Sequence, residues 1–220
     1  MRDFQIVLVD DPWKHNDRRE FRRDNPERKS RFGIGVQRRY TAGTMSYENL
    51  VDVTPFLEPH LRKDAYLFMW ATCPLLPQAV QLMAARGFIY KTVCFVWVKN
   101  TVNGKLFFGP GKYTGSNVEL LLLGRKAGQK CWHSTAKGCY KPPQVVFAPQ
   151  PRDENKKIIH SRKPEIFQDL IEDWLGPYRT GGMLELFATR ERPGWACLGH
   201  SLSGNDIRHD LNELQKGILL

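Results

Sequence analysis

Eight residues near the amino terminus, Ile6-Val7-Leu8-Val9-Asp10-Asp11-Pro12-Trp13, constrain this chain more than any other stretch. Four consecutive apolar residues, three of them β-branched, read as a buried strand. It ends where two carboxylates, a proline and an indole follow. Ligands of open α/β sheets bind beyond the carboxyl ends of the strands. An acid and a flat aromatic placed there suit a planar, amine-bearing ring: Asp accepts hydrogen bonds from the amine and Trp stacks on the ring face. The alternative is a strand closed by an Asp-Pro turn, with Trp as a packing residue.

The rest of the chain alternates strands with helices. Ala65–Ala71, Tyr90–Val98, Val118–Leu123, a strand near Val145–Phe147 and Met183–Ala188 read as strands, with Gly124 closing the fourth. A helix from about Ser46 breaks near Pro55, with Ser46 a loose N-cap. Another runs from Pro74 to about Gly87, and a third opens at Pro164 and runs to about Leu175. This alternation implies a largely parallel sheet covered by helices. At 220 residues the chain is expected to be one domain, 1–220, with a basic loop insertion at about 14–43.

That insertion is the sharpest change in composition. Residues 14–39 hold ten basic and four acidic side chains, more than half of the chain's net charge of +10. A segment so poor in apolar residues is a loop or a short solvated helix. Because it leaves directly from Trp13, Lys14, Arg18, Arg19, Arg22, Arg23, Arg38 and Arg39 are candidate phosphate contacts, binding with counterion release. The bland alternative is a solvated insertion with no partner. The five cysteines are scattered, which fits a reducing compartment rather than a disulfide framework. Cys131, His133 and Cys139 lie close in sequence but lack a second pair at zinc spacing, so no metal is expected. No apolar run approaches the roughly 20 residues of a membrane span, and no signal peptide precedes the first strand. A cytoplasmic location with no membrane partner is therefore expected.

Several blocks together resemble the MT-A70 family of adenine-N6 methyltransferases, in particular its compact bacterial and phage members. The family signature, Asp-Pro-Pro-Trp after an apolar strand, stands here as Asp10-Asp11-Pro12-Trp13. Further matches follow in order: Thr44-Met45-Ser46, Ala65–Trp70, Pro74–Pro77, Tyr90–Val93, Trp97-Val98-Lys99, Gly104–Gly109, Val118-Glu119-Leu120, His160–Glu165, Leu184–Ala188, Arg190–Trp195 and Gly199. The resemblance implies an α/β, Rossmann-like, S-adenosylmethionine-dependent methyltransferase fold with permuted motif order. The catalytic motif is then N-terminal and the cofactor strand C-terminal.

The implied reaction moves a methyl group from S-adenosyl-L-methionine to the exocyclic amine of adenine, in DNA rather than RNA. The implied catalytic residues are Asp10, Asp11, Pro12 and Trp13. Asp10, or the carbonyl of Asp11 or Pro12, accepts a hydrogen bond from the amine, while Trp13 stacks on the base. In a duplex the base must be flipped out. Implied cofactor contacts are Asp10, Lys163 (to the methionine carboxylate), Glu185, Arg190 and His200. Glu185 and Arg190 either contact the ribose or brace each other, and His200 stands where the family usually has Asn. The larger departure is Asp11, since Asp does not fix φ as Pro does. Either Asp11 turns away and anchors the loop with activity kept, or the domain is an inactive relative that only binds nucleic acid. The long loop at about Asn100–Ser116 is where family members pair, as a homo- or heterodimer; it can equally be a lid.

Overall fold

The structure, a computed structural model, describes residues 4–14, 43–109, 111, 113–127, 140–159 and 162–217. The basic segment beyond Lys14, with Arg18, Arg19, Arg22, Arg23, Arg38 and Arg39, lies outside the described residues. So do Cys131, His133, Cys139 and His160.

Seven strands form one sheet: β1 (Phe4–Val9), β2 (Leu61–Ala71), β3 (Phe88–Asn100), β4 (Val118–Lys126), β5 (Val145–Pro149), β6 (Gly182–Leu186) and β7 (Trp195–Leu198). Their order is β5-β3-β4-β2-β1-β6-β7. β4 runs antiparallel to both its neighbours, and every other pairing is parallel. The expected Rossmann-like α/β sheet is present. β1 lies between β2 and β6, so the strand order reverses beside it, and a crevice opens at the carboxyl ends of β1 and β6.

The helices are α1 (Tyr47–Val51), α2 (Thr54–Leu57), α3 (Leu76–Ala85), α4 (Ile166–Leu175), α5 (His200–Ser203) and α6 (Ile207–Gln215). They cover the sheet on both faces, because successive strand residues point to opposite sides. Val7 and Val9 of β1 join one buried cluster with Leu50 of α1, Ala79, Leu82 and Met83 of α3 and Leu211 of α6. Ile6 and Leu8 join the other, with Phe167, Ile171 and Leu175 of α4. β1 is buried on both faces, which is why it reads as a continuous apolar run.

Several boundaries differ from the sequence reading. Gly124 does not end β4, which continues to Lys126. It lies against α3, where a Cβ would come 2.5 Å from Met83 Sδ, so its role is close packing. The helix expected from Ser46 to Pro55 is two short ones. Ser46 does cap the first, its Oγ accepting from Asn49 N–H at 3.3 Å. Gly87 ends α3 region as expected, in a left-handed conformation with φ +75°. Beyond Met183–Ala188 the sequence reading places no element, but β7 and α6 follow. β7 is only four residues long, too short to show alternation.

Candidate active site

The alternation of side chains continues past the end of β1 and sorts the signature residues between the two faces. Asp10 follows Leu8 onto the α4 side. There it opens on a cleft of about 420 Å³, mouth included, walled by Leu8, Trp70, Phe167 and Phe187 and lined with Arg162, Lys163, Gln168, Glu185 and Arg190. Asp11 follows Val9 onto the α3 side. Its carboxylate is fully buried and receives both ends of the Arg86 guanidinium, Nη1 at 2.9 Å and Nη2 at 2.7 Å. The Asp11 side chain therefore anchors the turn and does not face the cleft, which leaves only its backbone carbonyl among the implied catalytic groups.

Trp13 needs a similar correction. Its indole is 7% exposed and packs in the α3-side core, with Nε1 buried and without a partner among the described residues. In this conformation the ring is not open for stacking. The backbone of the turn is also pinned. Trp13 N–H donates to Asp11 O at 2.9 Å, Met45 N–H to Pro12 O at 2.7 Å, and Lys14 N–H to Met45 O at 2.9 Å. The Asp11 and Pro12 carbonyls thus each accept one backbone bond already. Lys14 itself is exposed.

Asp10 sits in a network of alternating charge. Lys163 Nζ donates to Oδ1 at 2.8 Å and Oδ2 at 2.7 Å. The same ammonium lies 3.3 Å from Glu119 Oε2, and Lys99 Nζ meets Glu119 Oε1 at 2.6 Å. Burial pushes the Asp10 carboxyl up to about 6, with Lys163 opposing the rise and Glu119 and Asp11 adding to it. For Glu119 burial also acts upward, but Lys163 and Lys99 outweigh it and hold the carboxyl below its usual range. Glu119 and Lys99 lie in blocks that carry the family resemblance, but the sequence assigned neither a role. A lone carboxylate inside the apolar run of β4 was the available signal.

On the opposite wall, Glu185 and Arg190 do not bond each other directly. Gln168 bridges them, its Nε2 donating to Glu185 Oε2 at 2.9 Å and its Oε1 accepting from Arg190 Nη2 at 2.6 Å. Burial raises the Glu185 carboxyl, with Arg190 opposing. Gln168 was also missed, although a polar residue on the apolar stripe of α4 marks such a bridge. Cys197 Sγ lies 3.8 Å from Glu185 Oε2. Burial and that carboxylate push the thiol up to about 11, so at neutral pH it stays protonated. His200 lies at the start of α5, exposed, with Nδ1 3.3 Å from Asn205 O. It does not line the cleft, contrary to its expected cofactor contact. The closing Arg-Pro-Gly-Trp block is a brace: Arg192 reaches Asp169 and Glu172 at 2.6 and 2.8 Å, and Trp195 Nε1 donates to Glu172 at 2.6 Å.

Phe187 holds the cleft's edge in a left-handed conformation, φ 58°, an unfavourable state for an aromatic residue. Gly199 crosses directly behind it: a Cβ there would lie 2.5 Å from Ala188 O and 2.9 Å from Phe187 C. Among the described residues no cluster of three or more His, Cys, Asp or Glu could hold a metal ion. No described helix is long and apolar enough to cross a membrane.

A crevice at the reversal of strand order, walled by carboxylates, cations and aromatic rings, stands where Rossmann-like domains bind their ligands. The chain belongs to the MT-A70 family of methyltransferases, whose family model matches residues 4–201. It is 25% identical over 211 residues to the type II methyltransferase M.MunI of Mycoplasma sp, an alignment covering 94% of this chain and 81% of that protein.

Proposed function

We propose that this protein transfers a methyl group from S-adenosylmethionine to the exocyclic N6 amine of adenine in DNA. The observation that carries the reading is Asp10, a carboxylate aimed into the cleft at the switch point and held by Lys163. Likeness to a type II methyltransferase favours DNA over RNA.

The cleft fits the cofactor's chemistry. Arg162 lines it with Nε buried and without a partner among the described residues, and Lys163 stands beside it, so two cations face an amino-acid carboxylate. Glu185, on β6 and tied through Gln168 to Arg190, is an acceptor for ribose hydroxyls. Leu8, Phe167 and Phe187 supply apolar surface for a purine. When bound, S-adenosylmethionine supplies a methyl group already activated on a sulfonium.

The residues of this chain act on the amine. Its lone pair is delocalised into the ring, so positioning is the main lever, with about 7–11 kcal/mol available from orientation. An Asp10 carboxylate oxygen accepts one amine N–H and turns the lone pair toward the methyl. As the N–C bond formed and the sulfonium C–S bond broke, with the neutral thioether as leaving group, the nitrogen would become acidic. Asp10, with its carboxyl near 6, can take the surplus proton and release it to solvent at neutral pH. Lys163 keeps Asp10 oriented and favours its ionised form. A base in a duplex must leave the stack, at a cost of a few kcal/mol. The basic segment after Trp13 is proposed to hold the phosphates around it.

The test is an end-point assay. Labelled S-adenosylmethionine is incubated with duplex DNA, single-stranded DNA and RNA, the nucleosides are separated and weighed, and Asp10→Asn is the control. N6-methyladenine in DNA, absent with Asp10→Asn, is the expected result. Label in RNA alone would reassign the substrate. DNA binding without transfer would leave a binding subunit in place of an enzyme.

A further inference from the structure

We propose that Arg86 is a positioning residue for the signature turn: its buried ion pair with Asp11 does here what the ring of the family's first proline does elsewhere, setting the direction in which Asp10 projects into the cleft. The proposal rests on the reading of Asp10 as the group that faces the target amine.

The pair is built for placement. Both side chains have 0% exposure, and the contact is bidentate, at 2.7 and 2.9 Å. Two parallel bonds between a planar fork and a carboxylate fix orientation as well as distance. Arg86 occupies the C-cap of α3, its N–H bonded to Leu82 O at 3.0 Å, and the left-handed Gly87 follows. Its backbone is therefore held from both sides. Among the described residues the guanidinium has no other partner, and its Nε is buried without one. Nothing else there compensates Asp11, so the turn cannot let its carboxylate drift without stranding two buried charges.

Asp10 shares a peptide bond with this anchor. Because side chains alternate across an extended backbone, clamping Asp11 toward α3 forces Asp10 toward α4, where Lys163 meets it. Proline reaches the same end differently, by fixing φ. The two devices are interchangeable at this position because the Asp11 amide donates no hydrogen bond among the described residues. A proline there would forfeit none.

The experiment compares the full-length wild type, Arg86→Leu, Arg86→Lys and the double variant Asp11→Pro/Arg86→Leu. Three quantities are read: the thermal midpoint, kcat for methyl transfer to DNA, and the titration of the Asp10 carboxyl followed by carbon-13 NMR. A breach in positioning moves the Asp10 titration and lowers kcat by about 100-fold, the scale of an ångström-sized misplacement. The double variant, which removes both charges and restores a ring, is expected to bring both back toward wild type. Arg86→Lys keeps the charge but cannot span both oxygens; it is expected to fall between, and it replaces Arg86→Leu if that variant does not fold. Wild-type Asp10 titration and kcat in a folded Arg86→Leu or Arg86→Lys would overturn the proposal. So would a double variant that regains the thermal midpoint but neither of the other two quantities. If the wild type transfers no methyl group, the methyltransferase reading fails by itself, and the NMR comparison still decides the role of Arg86.

Discussion

Lys163 lies 153 positions along the chain from Asp10, yet its Nζ is 2.8 and 2.7 Å from the two oxygens of that carboxylate. The same ammonium is 3.3 Å from Glu119, which holds Lys99 at 2.6 Å. Two carboxylates and two ammoniums thus alternate in one chain of ion pairs that ends at Asp10 in the cleft. An amino-acid carboxylate entering beside Lys163 draws on a cation already shared, and Arg162 is the additional positive charge there.

This arrangement predicts the pH dependence of the reaction. Ionised Asp10 is the competent form, so kcat/KM should rise with pH through about 6 and level off above. Glu119 helps raise that carboxyl and Lys163 lowers it. Glu119→Gln should therefore move the acid limb to lower pH, as measured in a rate profile between about pH 5 and about pH 8.

Stability should run the other way. Folding raises Asp10 from 3.8 to about 6, so its contribution is fully present below the unfolded value and is lost as pH rises through the folded one. Asp10→Asn should melt no lower than wild type at neutral pH while losing about 100-fold or more in transfer. Melting curves on either side of pH 6, set beside the transfer assay, check both halves.

Gln168→Leu removes the bridge between Glu185 and Arg190. Leaving a partly buried carboxylate short of a donor costs about 1–3 kcal/mol. The expected result is weaker S-adenosylmethionine binding, by about tenfold or more, in a titration calorimeter, with the fold intact.

Gly199→Ala drives a methyl group into the Ala188 and Phe187 backbone. These atoms cannot rotate away as a side-chain tip can. A loss of about 1–3 kcal/mol in urea unfolding is expected, with weakened cofactor binding because Phe187 lines the cleft.

Phe167→Ala should cost more. The ring is 1% exposed and meets Trp70 edge-on at 4.9 Å, with Phe95 and Trp97 beyond. Emptying such a site costs about 3–5 kcal/mol, measurable as a shift in the urea midpoint.

Much of the fold was legible in the chain. β1, β2 and β4 are buried runs of β-branched, aromatic and leucine residues, and the strand–helix alternation implied a mainly parallel sheet. The readings that failed did so for local reasons. Gly124 looks like a terminator, but only the packing of Met83 reveals it as a contact point. β7 has four residues, too few for a period. At the site, Asp10, Lys163, Glu185 and Arg190, which the family resemblance implied, line one cleft. Glu119, though inside a matching block, and Gln168 were given no role because one polar residue in an apolar element reads as noise until its partner is placed.

By itself, the sequence determined which segments are buried and in what order they alternate, because hydrophobic period and turn chemistry are local properties. It also determined that two acids stand at the end of β1. Only the tertiary structure decided which acid faces the chemistry. Asp10 and Asp11 are adjacent and identical, and their difference comes from Lys163 on one face of the sheet and Arg86 on the other, each brought in by an element distant in sequence. Trp13 was decided in the same way, since alternation carried it to the α3 side and burial closed it there.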